Sequence, residues 1–268
     1  MMDFNKISKL YHEQSLVQVT AAQKLIDLLS FEADADVLDL GAGTGNITAQ
    51  LKERTSGRVV GVDQSLGMIE EARLSYEDKG IEFEVMADNE LAFSDEFDVV
   101  FCNSTFQWFR QPLLSLKKIK QSLRSLGRLG IQAPATNNYC PNFIEAMSAA
   151  CRLGELKDVY ASFQKPWFFL DTPAEYGDLL QSAGFEVRHC FFETVHRHCS
   201  PQEAFAVFES GAAAGYLNPA YYNEVLPEGY HAAVLDGVAK AFADQANSDG
   251  IVDLVFHRIY VVGENPDS

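Results

Sequence analysis

The sequence predicts an α/β fold, a Rossmann-like and mostly parallel sheet with helices on both faces. Short apolar runs alternate with helical stretches of ten or more residues over the first 135 positions, the pattern of βαβ units. The first run ends in a cluster of glycines at a strand-to-helix turn, and each of the next two runs ends in an aspartate.

Taken in order, residues 4 to 30 read as a helix, with Leu10, Val17, Leu25, Ile26 and Leu29 near helical spacing. Asp36 to Gly41 is a short buried strand, and a helix follows from Gly45, carrying Ile47, Leu51 and then Arg54. Arg58 to Asp63 is the second strand, Ser65 to Tyr76 a helix, Ile81 to Asp88 an alternating third strand, and Phe97 to Asn103 the fourth. Pro112 suits a first helical position, where its missing N–H costs nothing. Leu113, Leu116, Ile119, Leu123 and Leu126 follow as an apolar stripe, with Gly127 expected to close that helix. Gly127 to Ala135 is the fifth strand. Beyond it, a helix is expected over 142–155 and another from Pro173 to Ser182, closed by Gly184; strands are expected over 185–195 and 252–262. The whole, 1–268, reads as a single domain with a cofactor-binding core at 31–135. Helical insertions at 136–170 and 201–249 are expected to form a lid on the acceptor side.

Composition sets bounds. With 47% apolar and 22% charged residues, the chain can build a full core. No apolar run reaches the ~18 residues needed to span a bilayer, and the N-terminus lacks the order of a secretory signal, so a cytoplasmic location is expected. A net charge of −17 disfavours nucleic acid and anionic membrane surfaces as partners. The five cysteines form no CxxC pair and read as reduced thiols. One stretch runs against the overall charge. Between Val99 and Ile144 there is no acidic residue, while Arg110, Lys117, Lys118, Lys120, Arg124 and Arg128 all fall inside it. The choice lies between the solvated face of one amphipathic helix and a docking patch for an acidic partner or an anionic substrate.

The chemistry is carried by Asp39-Leu-Gly41-Ala-Gly43-Thr-Gly45 at the carboxyl end of the first strand. Glycines there let a ligand approach the backbone closely. Asp63 follows at the end of the second strand, where a carboxylate can accept both ribose hydroxyls, and Asp88 ends the third. The spacing is GxGxG after an acidic residue, whereas dinucleotide folds prefer GxGxxG. That suits a nucleotide held by an amino-acid tail: Asp39 can accept from an ammonium, and nearby amides can hold a carboxylate.

VLDLGAGTGN, GVDQSLGMIE, MADNELAF and FDVVFCNSTFQWF, in this order and spacing, resemble the class I S-adenosylmethionine-dependent methyltransferases. The resemblance implies a seven-stranded sheet and S-adenosyl-L-methionine as cofactor. It implies a cofactor site of Tyr11, Asp39, Gly41, Ala42, Gly43, Asn46, Asp63, Gln64, Met68, Asp88, Asn89, Asn103 and Ser104. In it the glycines meet the methionine part, Asp63 the ribose, and Asp88 with Asn89 the adenine. Tyr11 and His12 would cover the methionine end from the first helix. NSTFQWF resembles the subgroup of trans-aconitate methyltransferase and the malonyl-acyl-carrier-protein methyltransferase of biotin synthesis. TNNYCPNF, however, carries no arginine where a malonyl-specific enzyme is expected to hold a free carboxylate.

The expected reaction is methyl transfer to a small-molecule acceptor, at a carboxylate oxygen that needs no general base, so no catalytic side chain is assigned. Gln107, Trp108, Tyr216 and Tyr221 are the acceptor-side candidates. An acyl-carrier protein docking on Arg110, Lys117, Lys118 and Lys120 is the alternative substrate, and a non-catalytic cofactor-binding regulator the alternative of another class. His189, Cys190, His196, His198 and Cys199 lack recognised zinc spacing, and no metal is expected.

Overall fold

The computed structural model of the protein describes residues 21–267. Its strands are β1 (Val37–Leu40), β2 (Val59–Asp63), β3 (Glu82–Val85), β4 (Phe97–Asn103), β5 (Leu123–Pro134), β6 (Glu186–Cys199) and β7 (Val252–Glu264). Residues 21–29 are helical (α1). The further helices are α2 (Asn46–Lys52), α3 (Leu66–Ser75), α4 (Pro112–Ser122), α5 (Pro141–Ala150) and α6 (Gly154–Ala161), then α7 (Pro173–Ser182), α8 (Pro201–Ser210), α9 (Ala213–Tyr216) and α10 (Tyr230–Gln245). The seven strands lie in the order β3-β2-β1-β4-β5-β7-β6. Strands β1 to β5 pair in parallel and β7 pairs antiparallel to β5. The order reverses between β1 and β4, the place where open α/β sheets bind ligands beyond their carboxyl ends.

Two compact units are present: residues 21–137, 168–193 and 258–267 form one, and 138–167 with 194–257 the other. In the first, strand alternation fills both faces of the sheet. Leu38, Leu40, Val60, Val62, Val100 and Cys102 share one core with Leu116 and Ile119 of α4 and Tyr176 and Leu180 of α7. Val37, Val59, Val99, Phe101, Tyr260 and Val262 share the opposite core with Leu25 and Leu29 of α1 and Leu51 of α2. Near-continuous apolar runs follow from that double burial. The helix starts are written locally: Ser65 caps α3, and Thr172 with Glu175 forms a capping box on α7.

The other unit is built on aromatic packing. The Phe143 ring of α5 lies 5.4 Å from Phe208 of α8 and 6.0 Å from Phe242 of α10. Asn142 and Gln245 exchange hydrogen bonds of 3.0 Å between α5 and α10.

Several boundaries differ from the sequence expectation. The single helix expected at 142–155 is two, α5 and α6. Strand β3 keeps only four residues of the expected eight, because Met86 bonds back to the end of β2 and 88–90 turn into a 3₁₀ helix. Helix α4 stops at Ser122, and β5 begins at once with Leu123 opposite Phe97. Gly127 does not close the helix. Leu126 takes the left-handed conformation (φ 63°), while at Gly127 a Cβ would sit 2.9 Å from the Arg124 carbonyl oxygen. The resulting bulge is satisfied by Asn265, whose Nδ2 donates to the Leu123 and Arg124 carbonyls and whose own carbonyl accepts from Leu126. All five cysteines are free thiols, and Cys190 alone among them is only half-buried.

Arg124 ties the amino ends of three strands together, meeting Asp36 at 2.8 Å and Asp98 at 2.7 Å. Burial alone would raise the Asp36 carboxyl; the Arg124 hydrogen bond, with the amide and charge of Arg58, outweighs it and holds the group below its ordinary value. A carboxylate lowered in this way contributes stability above its unfolded pKa and loses it as pH falls through the folded one. Arg124→Ala should therefore cost roughly 1 kcal/mol at neutral pH, since the pair is only partly shielded from solvent. Urea curves of the two proteins should draw together as pH falls below about 4, the ordinary aspartate value. Equal stability at neutral pH would show that the clamp is not holding.

Candidate cofactor site

The site assembles where β1, β2, β3 and β4 end. After β1 the chain folds over the end of β2, with Gly41 and Ala42 both donating to the Val62 carbonyl, at 2.8 and 2.9 Å. Gly41 and Gly43 are left-handed, φ 83° and 55°. A Cβ on Gly41 would lie 2.1 Å from Thr105 Oγ1, so this glycine lets the turn after β4 close against the first loop. A Cβ on Gly43 would meet none of the described residues within 4 Å, so among them that side of the loop is open.

Asp63 binds the loop to the next turn. Its Oδ2 accepts from Gly43 N at 3.0 Å and its Oδ1 from Ser65 N at 2.9 Å. Each oxygen keeps a further lone pair for a ligand hydroxyl. Beside it Gln64 is exposed, and Leu66 and Met68 stand 56% and 45% exposed, an apolar shelf at the mouth of β2. Asp39 lies behind the loop, 2% exposed, and its Oδ2 accepts from Thr48 Oγ1 at 2.6 Å. Burial pushes the Asp39 carboxyl up to about 7; the Thr48 hydrogen bond opposes the shift and the Asp63 charge adds to it. Asn46 is exposed at the start of α2, its Oδ1 accepting from Tyr76 OH at 2.6 Å.

Beyond β3, Asp88 and Asn89 are half-buried in the 3₁₀ turn Asp88–Glu90. Ser115 of α4 donates its hydroxyl to Asp88 Oδ2. After β4 the backbone is strained at Ser104 (φ 57°), whose N–H donates to the Gln132 carbonyl at 2.7 Å and whose Oγ lies 3.2 Å from Gln132 Oε1. Gln107 Nε2 donates to the Ser104 carbonyl at 2.8 Å. Among the described residues, Asn103 Oδ1 and Gln107 Oε1 are buried without a hydrogen-bond partner. Trp108 is half-buried in the same turn.

The structure thus brings together Asp39, the glycines, Asn46, Asp63, Gln64, Met68, Asp88, Asn89, Asn103, Ser104, Gln107 and Trp108 in one unit. Tyr11 and His12 lie outside the described residues. Tyr216 and Tyr221 belong to the other unit. There Tyr216 is 4% exposed, its ring 5.0 Å from Trp167 and its hydroxyl 3.3 Å from Tyr139 OH. Tyr221 is half-buried, and its carbonyl accepts from Gln164 at 2.7 Å. Of the basic stretch, Arg124 is held by Asp36 and Asp98, and Arg128 by Glu264 and the Leu29 carbonyl. These two sit on β5, so the stretch is not one helix face; Arg110 and Lys117 remain exposed, with Lys118 and Lys120 half-buried. His196 and His198 do share a strand face, 2.9 and 3.7 Å from Asp253. Among the described residues no cluster of three or more His, Cys, Asp or Glu could hold a metal, and no helix is long and apolar enough to cross a membrane.

Four residues of the site were not anticipated: Thr48, Thr105, Ser115 and Gln132. Gln132 carried a signal, a lone amide inside the apolar strand LGIQAPA. Thr48, on the buried face of α2 beside Ile47 and Leu51, carried a weaker one.

A glycine loop crossing one strand end, with carboxylates on the two strands beyond it, defines a nucleotide-binding α/β protein. Residues 38–131 match the methyltransferase domain family. The chain is 31% identical over 255 residues to trans-aconitate 2-methyltransferase of Rhodopseudomonas palustris, covering 90% of this chain and 91% of that one. It therefore belongs to the S-adenosylmethionine-dependent methyltransferases. It is also 35% identical over 131 residues to malonyl-[acyl-carrier protein] O-methyltransferase of Acetivibrio thermocellus, covering 48% of this chain and 46% of the relative, so the chain matches only about half the length of that enzyme. The fold is shared with Haemonchus contortus phosphoethanolamine N-methyltransferase 2, solved with phosphomonomethylethanolamine and S-adenosylhomocysteine. That likeness has a TM-score of 0.56 and 16% identity, and covers 92% of this chain and 53% of that one.

The residues present fit S-adenosylmethionine. Among the described residues the side of Gly43 stands open to a ligand, and Asn103 Oδ1 has no donor, which an ammonium could supply. The two glycines should separate in their effects. Gly41→Ala meets both a left-handed φ and Thr105, and should cost at least about 2 kcal/mol of stability. Gly43→Ala bears only the conformational cost, about 1 kcal/mol, but should cut S-adenosylmethionine affinity at least about tenfold by filling the cradle. Thermal melting and calorimetric titration read the two effects; a Gly43→Ala protein with full affinity would remove the ligand from that side of the loop.

Proposed function

We propose that the protein transfers a methyl group from S-adenosylmethionine to a carboxylate oxygen of a small organic acid. The observation that carries this is the match to trans-aconitate 2-methyltransferase along nine tenths of both chains. When bound, S-adenosylmethionine supplies a methyl carbon made electrophilic by its sulfonium. A carboxylate acceptor is already ionised at neutral pH, so the chain need supply no general base. Its task is alignment and exclusion of water, and alignment alone can lower such a barrier by ~7–11 kcal/mol.

In this reading the amides of Gly41, Ala42 and Gly43, with Asn46, Asn103 and Ser104, hold the methionine part. Asp39 accepts from its ammonium and Asp63 from the ribose. Gln64 and Met68 line the nucleoside, and Asp88 with Asn89 meets the adenine. Gln107 and Trp108 follow β4 on the side where the acceptor would enter. A second reading has support from the malonyl-acyl-carrier-protein match and from exposed Arg110 and Lys117: a carrier protein docked on α4 through those residues with Lys118 and Lys120.

Incubation with S-adenosylmethionine and trans-aconitate, or a panel of related di- and tricarboxylic acids, should yield a monomethyl ester detectable by mass. Ester formation only on a malonyl carrier protein would favour the second reading. Absence of ester on every acid and on the carrier protein would end the carboxylate assignment.

Asp39 supplies a separate test. Its raised pKa means that the folded state keeps a proton the unfolded chain has lost, so stability falls as pH rises from about 4 to 7 and changes no further above that. If the carboxylate faces an ammonium, S-adenosylmethionine affinity should increase as pH rises through about 7. Asp39→Asn should flatten both profiles. An unchanged affinity profile in Asp39→Asn would remove this residue from cofactor binding.

A further inference from the structure

The geometry of Asp88 depends on a single side-chain neighbour among the described residues. It sits half-buried in a 3₁₀ turn beyond the edge strand β3. Among the described residues, the one side chain that hydrogen-bonds its carboxylate is Ser115, which donates to Oδ2. Ser115 is 0% exposed, on the inward face of α4, one residue before Leu116 and four before Ile119, both fully buried. Those apolar neighbours fix the register of the helix, and with it the direction of the serine.

A serine inside a helix commonly turns its hydroxyl back to the carbonyl four residues earlier. That carbonyl, Gln111 O, is 3.1 Å from Ser115 Oγ and already accepts Ser115 N–H at 3.0 Å. The hydroxyl has one proton and two acceptors within reach, and the charged carboxylate is the stronger. The bond therefore leaves the helix for Asp88. With Oδ2 drawn inward, Oδ1 is left to face a ligand. An ionised carboxylate only accepts, so its partner must be a donor.

We propose that Ser115 is a positioning residue for base recognition: by holding Asp88 through Oδ2, it makes the site select a purine carrying an exocyclic amine over one carrying an oxo group. This rests on the assignment of Asp88 to the adenine made above. Loss of the hydroxyl would free the carboxylate to rotate, and the choice between amine and oxo would weaken together with affinity.

The test is calorimetric titration of the full chain with S-adenosylhomocysteine and S-inosylhomocysteine. The wild type should prefer the adenine compound at least about tenfold. Ser115→Ala should weaken S-adenosylhomocysteine roughly tenfold and leave the inosine compound nearly unchanged, bringing the ratio close to unity. Asp88→Asn, still able to accept from Ser115 through its amide oxygen, would present an amide donor outward and should reverse the preference. If Ser115→Ala does not fold, Ser115→Cys, of similar size and a weaker donor, should narrow the ratio part-way. A wild-type ratio in whichever serine variant folds overturns the positioning role while leaving the cofactor reading intact. Failure of the wild type to bind either compound overturns the cofactor reading and this inference with it.

Discussion

The site depends on the Asp63 carboxylate. One oxygen holds the amide of Gly43 in the first βα loop and the other the amide of Ser65 at the cap of α3. The end of β2 is thereby tied to the turns on both sides of it, and Met86 N–H on the Asp63 carbonyl brings in β3 at 3.0 Å. An acidic side chain does this better than a neutral one, because amide hydrogen bonds to a charged acceptor are stronger and two oxygens serve two directions. Under the proposed assignment of Asp63 to the ribose, the glycine loop is positioned by a residue the ligand itself would contact, so loop geometry and nucleoside recognition would vary together.

Much of this was legible in the sequence because it is local. Strands buried on both faces appear as apolar runs, and a loop that must turn left-handed appears as glycine. Helices that begin at Ser65 or Thr172 show the capping oxygen in place. What could not be read depends on partners far along the chain. The early start of β5 is invisible at Leu123 to Gly127, since the bulge is satisfied by Asn265, more than 130 residues later. Arg124 and Arg128 look like part of a basic helix face until the sheet sets them beside Asp36, Asp98 and Glu264. Ser115 reads as an ordinary polar position between leucines, because its partner is 27 residues upstream. Tyr216, an acceptor-side candidate from the sequence, packs against Trp167, Phe163 and Phe208, contacts set by chain more than 40 residues upstream and by the neighbouring helix.

The charges at the sheet edge bear on the order of events. Asp39, Asp63 and Asp88 lie at or just beyond the carboxyl ends of three parallel strands, in a chain of net charge −17. S-adenosylmethionine carries a sulfonium, an ammonium and a carboxylate, one net positive charge, whereas S-adenosylhomocysteine is neutral overall. An acidic edge favours the first over the second, because opposite charges attract. The same edge disfavours an anionic acceptor as long as the cation is absent. For a carboxylic-acid substrate, therefore, electrostatics favours cofactor before acceptor. With a carboxylate acceptor, methyl transfer would remove the sulfonium charge and the acceptor charge together, and with them the attraction between the two reactants.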